Sequence, residues 1–192
     1  MGTSRLEAFC DGVIAVIITI MVLELHAPQQ PTLAALIALL PDFLVYALSF
    51  LMVAIMWVNH HHLMHHARRA DPGLIWSNIF LLFWMSLIPF ETAWLGQHAT
   101  APLPIAVYGG TLVLCSCGFL LVQSALACQN RDDSESLCFF DRIRLKATFA
   151  VILYALAAVL PAWSPYPSLV IFLLIPIAYF WPDSNSGQAT RD

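Results

Sequence analysis

The sequence is poor in charge. Only 10% of its 192 residues are Asp, Glu, Lys or Arg, against about 25% in an ordinary soluble domain. So little polar surface cannot cover a water-exposed globule, and a lipid bilayer is the solvent that accepts what is left. Basic residues are the scarcer sign. Eight Lys and Arg against twelve Asp and Glu give a formal charge of −4, which argues against a nucleic-acid partner. Cysteine is sparse as well. Cys10, Cys115, Cys117, Cys128 and Cys138 are odd in number and scattered, which excludes a disulfide framework. Nucleophile elbow, P-loop, glycine-rich phosphate loop and paired catalytic carboxylates are all missing, so neither an enzyme nor a resident cofactor is expected.

What is present is long apolar runs. A membrane-crossing helix needs about 20 mostly apolar residues. Six segments qualify, over residues 6–25, 43–62, 74–94, 104–127, 147–163 and 165–181. A short apolar lead-in at residues 31–40 precedes the second, and Ser164-Pro165-Tyr166-Pro167 reads as a tight turn between the last two. The first apolar run follows the acidic Glu7 and Asp11 and lacks a small-residue cleavage site, so it reads as a retained helix. The expected fold is all-α: a polytopic membrane protein with six transmembrane helices. One domain spans residues 1–182, followed by a polar, disordered tail at residues 183–192. No internal repeat is evident.

Lys and Arg set the expected orientation. Arg5 precedes the first span. Arg68 and Arg69 lie between spans 2 and 3, and Arg131, Arg142, Arg144 and Lys146 between spans 4 and 5. Arg191 is in the tail, and the other three connections hold none. All eight therefore fall on one side, which predicts cytoplasmic ends in a multi-pass protein of the cell's inner membrane. Trp57, Trp76, Trp94, Trp163 and Trp181 fall near span ends, as interfacial anchors do.

The first span is the most unusual. Arg5, Glu7 and Asp11 open it, and ionisable residues inside a membrane point into a bundle or a watery cavity, or snorkel to the interface. At 3.6 residues per turn, Gly12, Val16, Thr19, Ile20 and Leu23 share one face, with Asp11, Ile14, Ile18 and Leu25 roughly opposite. A face of small, branched and hydroxyl residues suits plain helix packing. It also suits a pore, where apolar rings gate water and a hydroxyl replaces part of an ion's hydration shell. In His60-His61-His62-Leu63-Met64-His65-His66, two pairs stand at i, i+4. That spacing permits a metal on a helix, but no Glu completes a His-Glu-x-x-His site. Hydrogen bonding within the bundle, solvated imidazoles and pH sensitivity are the alternatives. Glu24 and Glu91 read as interfacial carboxylates or as a cation-concentrating outer vestibule. Pro89 is expected to kink the end of span 3.

Arg5-Leu6-Glu7-Ala8-Phe9-Cys10-Asp11-Gly12-Val13 resembles the Arg-x-x-x-Phe-Ser-Asp signature of the transmembrane protein 175 family in its short, prokaryotic form. Trp57-Val58-Asn59-His60-His61 is similar to that family's second-helix motif. Asp71, Leu74, Trp76, Asn78 and the run Ser86-Leu87-Ile88-Pro89-Phe90 are similar to its third helix. The resemblance covers spans 1–3 closely and spans 4–6 in hydrophobic layout. It implies a homotetrameric, potassium-permeable cation channel whose first helices line the pore, with no cofactor beyond the permeant ion. Val16, Ile20 and Leu23 would be the apolar rings and Thr19 the hydroxyl favouring potassium. Arg5, Phe9 and Asp11 would be the structural signature, with Trp57 and His60 or His61 as partners. The Thr-Val-Gly-Tyr-Gly filter of ordinary potassium channels is missing, and Val107-Tyr108-Gly109-Gly110 is not a version of it. Cys10 stands where the family has serine, and Val16 is smaller than the Ile or Leu usual at the innermost ring. The competing reading is a metal- or proton-coupled transporter using the histidine cluster.

Overall fold

Lipid offers no partner for a backbone N–H or C=O, and the chain answers with helices, which pair those groups internally. The computed structural model describes residues 2–180, and the side chains of all of these except Glu135 and residues 177–180. Trp181, Arg191 and the predicted tail at residues 183–192 lie outside the described residues. The helices are α1 (Thr3–Leu23), α2 (Leu33–Ala38), α3 (Leu40–Met64), α4 (Pro72–Met85), α5 (Ile88–Gln97), α6 (Pro102–Gln129), α7 (Ser134–Val159) and α8 (Tyr166–Phe180). Among the described residues, five stretches are long and apolar enough to cross a bilayer: Thr3–Leu23, Leu40–Met64, Pro72–Gln97, Pro102–Gln129 and Ser136–Ala162. The sixth expected span corresponds to α8, whose described apolar part, Tyr166–Pro176, is shorter. The protein is thus an all-α, multi-pass membrane protein with five to six apolar helices.

Local chemistry explains the breaks. Asp71 caps α4, accepting from the Leu74 N–H at 2.9 Å with Pro72 behind it. That backbone hydrogen bond, helped by the Gln129 amide and Arg69, holds the Asp71 carboxyl below the usual carboxylate range. The third span is two helices. Pro89 has no N–H to offer the Met85 carbonyl, so the ladder stops at Ser86–Leu87 and α5 restarts with the proline in its first turn. Helix α7 begins well before the apolar run, at Ser134, with Asp133 accepting from the Ser136 N–H at 3.3 Å. Arg142, Arg144 and Lys146 therefore lie on a helix, not in the connection where charge alone had placed them; Arg131 is in the connection. Backbone pairing does not end where hydropathy does.

Helix α6 is the central post, packed against α4, α5 and α7. Small residues let it approach closely. A Cβ on Gly118 would stand 3.0 Å from the Leu81 Cα, and one on Gly109 3.0 Å from the Ala158 nitrogen. Polar pairs fix the register. The Ser49 and Tyr108 hydroxyls meet at 2.9 Å between α3 and α6. Near the end holding Arg68 and Arg69, Gln129 accepts from both of their backbone N–H groups at 3.2 Å. Its amide nitrogen donates to the Arg69 carbonyl and to Asp71, each at 2.9 Å.

Candidate functional site

Helix α1 packs against α3, α4 and α5 along one stripe. Leu6, Cys10, Ile14, Ile17 and Met21 are buried at the four-four-three-four spacing of a helix face. The other face is bare. Phe9 is 53% exposed, Val16 54%, Ile20 41% and Leu23 75%, and Gly12 and Thr19 are exposed with them. The five residues that helix arithmetic grouped thus share a surface that the rest of the subunit leaves uncovered. The Thr19 hydroxyl donates to the Val16 carbonyl at 2.9 Å. Its proton is spent on the helix, so its lone pairs face outward as acceptors only. A groove of about 620 Å³ runs along this face from Phe9 past Val16 and Ile20 to Glu24, with Ser86, Pro89 and Phe90 on its far wall.

The N-terminal end of α1 is tied down by polar contacts in two layers. In the outer layer, Trp57 Nε1 donates to Asp11 at 3.0 Å, and Glu7 lies 3.4 Å from His61 Nδ1. The Trp57 and His61 rings stack at 5.9 Å, and His61 Nε2 meets His65 Nε2 at 3.0 Å. In the buried layer, Asn78 Oδ1 sits 2.7 Å from His60 Nε2 and 3.7 Å from the Cys10 thiol. Asn78 Nδ2 donates to the Leu74 carbonyl at 2.8 Å, which fixes the amide's orientation. Its Oδ1 is therefore the acceptor, and His60 Nε2 carries the proton. His60 Nδ1 is buried and meets no partner among the described residues.

The expected cluster of Arg5, Phe9, Asp11, Trp57, His60 and His61 is thus divided. Asp11 with Trp57, Glu7 with His61, and Cys10 with Asn78 and His60 are brought together. Arg5 and Phe9 stay exposed, and no hydrogen bond or ion pair of the Arg5 side chain occurs among the described residues. Asn78 serves α1 and α3 at once, a role the sequence reading did not give it; an amide inside an apolar span was the signal. The two glutamates also differ from expectation. Glu24 is exposed at the end of α1. Glu91, expected as an interfacial or vestibule carboxylate, is instead buried inside the subunit at 3% exposure, accepting from the Thr111 hydroxyl at 2.5 Å. Helix α5 restarts after the break with its Glu91 face against α6. In the histidine run, the His61 and His65 rings share a hydrogen bond, and His66 Nδ1 meets the His62 carbonyl at 3.2 Å. Among the described residues no group of three or more His, Cys, Asp or Glu converges as a metal site.

Residues 5–89 match the family model described as endosomal/lysosomal potassium channel TMEM175. The chain is 34% identical over 194 residues to a potassium channel of Chryseobacterium sp. (strain P1-3), covering 100% of both chains. It is 31% identical over 199 residues to a potassium channel of Chamaesiphon minutus, covering 96% of each. Its fold is similar to the crystal structure of a lysosomal potassium-selective channel TMEM175 homolog from Chamaesiphon minutus. The TM-score is 0.82 at 29% identity, over 92% of this chain and 95% of that one.

Proposed function

The chain belongs to the TMEM175 family, and on that footing we propose that it is a potassium-permeable cation channel working as a homotetramer. The family's named members are channels, not enzymes. Four α1 helices face one another across a central axis, and their bare faces line the pore. Val16, Ile20 and Leu23 form apolar rings that narrow the path and hold back water, so that wetting of the constriction controls conduction. The ring of Thr19 hydroxyls offers only acceptor lone pairs, which replace part of the shell of a cation that sheds water easily. Potassium sheds it more readily than sodium, which gives a modest preference. Glu24 at the end of the bare face raises the local cation concentration. Asp11, Trp57, His60 and His61 hold the helix in place and do not touch the ion; Arg5 and Phe9 belong to the mouth. The scarce Lys and Arg put both chain ends in the cytoplasm of an inner-membrane protein, with residues 1–182 as the channel unit.

The observation that carries this reading is the bare face of α1. A helix sealed along one stripe presents apolar residues and one hydroxyl, in line, to whatever lies outside the subunit. The transporter reading has less support, because His60 is held by Asn78 and His66 is stacked on Phe139 at 4.5 Å. The test is ion flux from purified protein in liposomes, under potassium and then sodium gradients, with the particle mass measured in detergent. Potassium flux without a coupling ion, from a tetramer, is expected. Flux that needs a proton or metal gradient would overturn the channel, and a dimeric particle would overturn the pore.

A further inference from the structure

Helix α3, together with the turn that ends it, touches α7 at two levels and stands apart from it between them. At one level the Tyr154 hydroxyl donates to the Met52 sulfur at 3.1 Å. At the other, the His66 ring stacks on Phe139 at 4.5 Å and meets Phe140 edge-on at 5.5 Å. Those levels are about 20 Å apart along the helices. Between them lies a cavity of about 600 Å³, closed behind by α6. That volume is ordinary for a small-molecule or lipid-chain site.

Its lining is sorted by depth. Toward Tyr154 the walls are apolar, with Met56, Phe119 and Ala150. Toward the other end they carry Arg142 and Lys146, one turn apart on α7, with His62 of α3 and His65 just past its end. Both cations are exposed, so the mouth is open, and no acidic residue is among the described residues that line the cavity. One wall group is left wanting. Gln123 is 4% exposed, and its Oε1 is buried without a hydrogen-bond donor among the described residues. Gln123 and Arg142 both lie about two turns from the α6–α7 connection, so the orphan oxygen sits at the depth of the basic rim. A buried acceptor of this kind needs a donor, from a water or from a molecule the site takes up.

We propose that this cavity binds one anionic phospholipid, its phosphate on Arg142 and Lys146 and one acyl chain between α3 and α7. A basic pocket between membrane helices recognises such headgroups, and Arg matches a phosphate with two parallel N–H donors. A glycerol headgroup adds a hydroxyl that can donate to Gln123. The occupant holds α3, the helix that ties down α1, against the hairpin of α6 and α7. The proposal does not depend on ion conduction.

The test is native mass spectrometry of the detergent-purified protein titrated with phosphatidylglycerol and phosphatidylcholine. Wild type should retain phosphatidylglycerol in preference by roughly thirtyfold, the effect of two cations near a headgroup. Arg142→Gln with Lys146→Gln should bind both lipids alike. Ala150→Leu, which fills the apolar depth, should retain neither. Arg144→Gln, exposed on the same helix but outside the lining, should behave as wild type. Each variant is compared only if it elutes where wild type does. A wild type without preference, or a preference that survives loss of both cations, overturns the site. Inorganic phosphate that displaces the lipid completely makes it a free-anion site and overturns the lipid. A wild type that holds no lipid, with variants that lose subunits, makes the cavity a contact between copies and overturns it too.

Discussion

The two faces of α1 are built to opposite rules. The packed face is continuous, apolar and closed: Cys10 and Ile14 have no exposed surface, and Met21 has 1%. The bare face has the same apolar character but no cover, and it carries the one mid-helix hydroxyl, Thr19. Composition does not separate them, since Ile and Leu occur on both. What separates them is what the rest of the subunit does. Helices α3, α4 and α5 supply partners to one side and stop short of the other. A helix that only anchored the chain would not need polar pins at Asp11 and Cys10. A helix whose outer face must hold one register needs them.

The sharpest way to break the comparison is the same substitution on each face. Ile14→Asn puts an amide where nothing is exposed and removes packing. Buried large-to-small changes alone cost about 2–5 kcal/mol, and the unsatisfied amide adds about 1–3. No monodisperse protein is expected by size-exclusion chromatography. Val16→Asn, a half-turn away, should elute normally and alter liposome flux. If both variants fold equally well, the faces are not different in kind. The second break is at the pin. Asn78→Ala leaves the His60 N–H and the Cys10 thiol without their acceptor, a loss of about 1–3 kcal/mol for a stranded buried donor. A clear fall in thermal midpoint should follow. Asp11→Asn should do less, because an amide oxygen still accepts from Trp57. A smaller loss from Asn78→Ala than from Asp11→Asn would put the main pin in the outer layer.

The fold was legible where physics acts along the chain. Charge scarcity marked the membrane, and the 3.6-residue repeat found Gly12, Val16, Thr19, Ile20 and Leu23 on one face before any contact was known. What was not legible depends on how helices turn against one another. Glu91 follows a proline near a span end, which reads as interfacial; only the break at Ser86–Leu87 turns it toward Thr111. Likewise Arg142 and Lys146 counted as loop charge, because hydropathy does not report where backbone hydrogen bonds end. Asn78 shows the middle case. An amide among Ile, Phe and Leu announces a partner, but sequence does not say that the partners are His60 and Cys10.

A finer probe stays on the bare face. Thr19→Val keeps the shape and removes the hydroxyl, so elution and thermal midpoint should not change. If the lone pairs of Thr19 meet the ion, the potassium-to-sodium flux ratio should fall a few-fold, and Thr19→Ser should restore it. Removing one site-built hydrogen-bond partner is worth about 1 kcal/mol, which is a factor of about five. An unchanged ratio in Thr19→Val would leave the hydroxyl as a helix cap for Val16 and nothing more.

The smallest expected effect lies on the packed face, at the position that departs from the family signature. Cys10 puts a thiol 3.7 Å from Asn78 Oδ1, the same oxygen that accepts from His60 at 2.7 Å. Cys10→Ser replaces a weak donor with a strong one on a shorter bond. A neutral hydrogen bond contributes about 0.5–1.5 kcal/mol net. Against that stands the packing of the sulfur, which fills a fully buried place better than oxygen does. The two nearly cancel, and the balance favours serine only if the helices close by a few tenths of an ångström. A thermal midpoint higher by about 1–2 °C is expected, with liposome flux unchanged, because Cys10 faces away from Thr19 and the bare surface. A lower midpoint would mean that the thiol is kept here for its volume and that Asn78 answers to His60 alone. A changed flux would mean that the packed face tunes the open one, and the division between them would fail at its narrowest point.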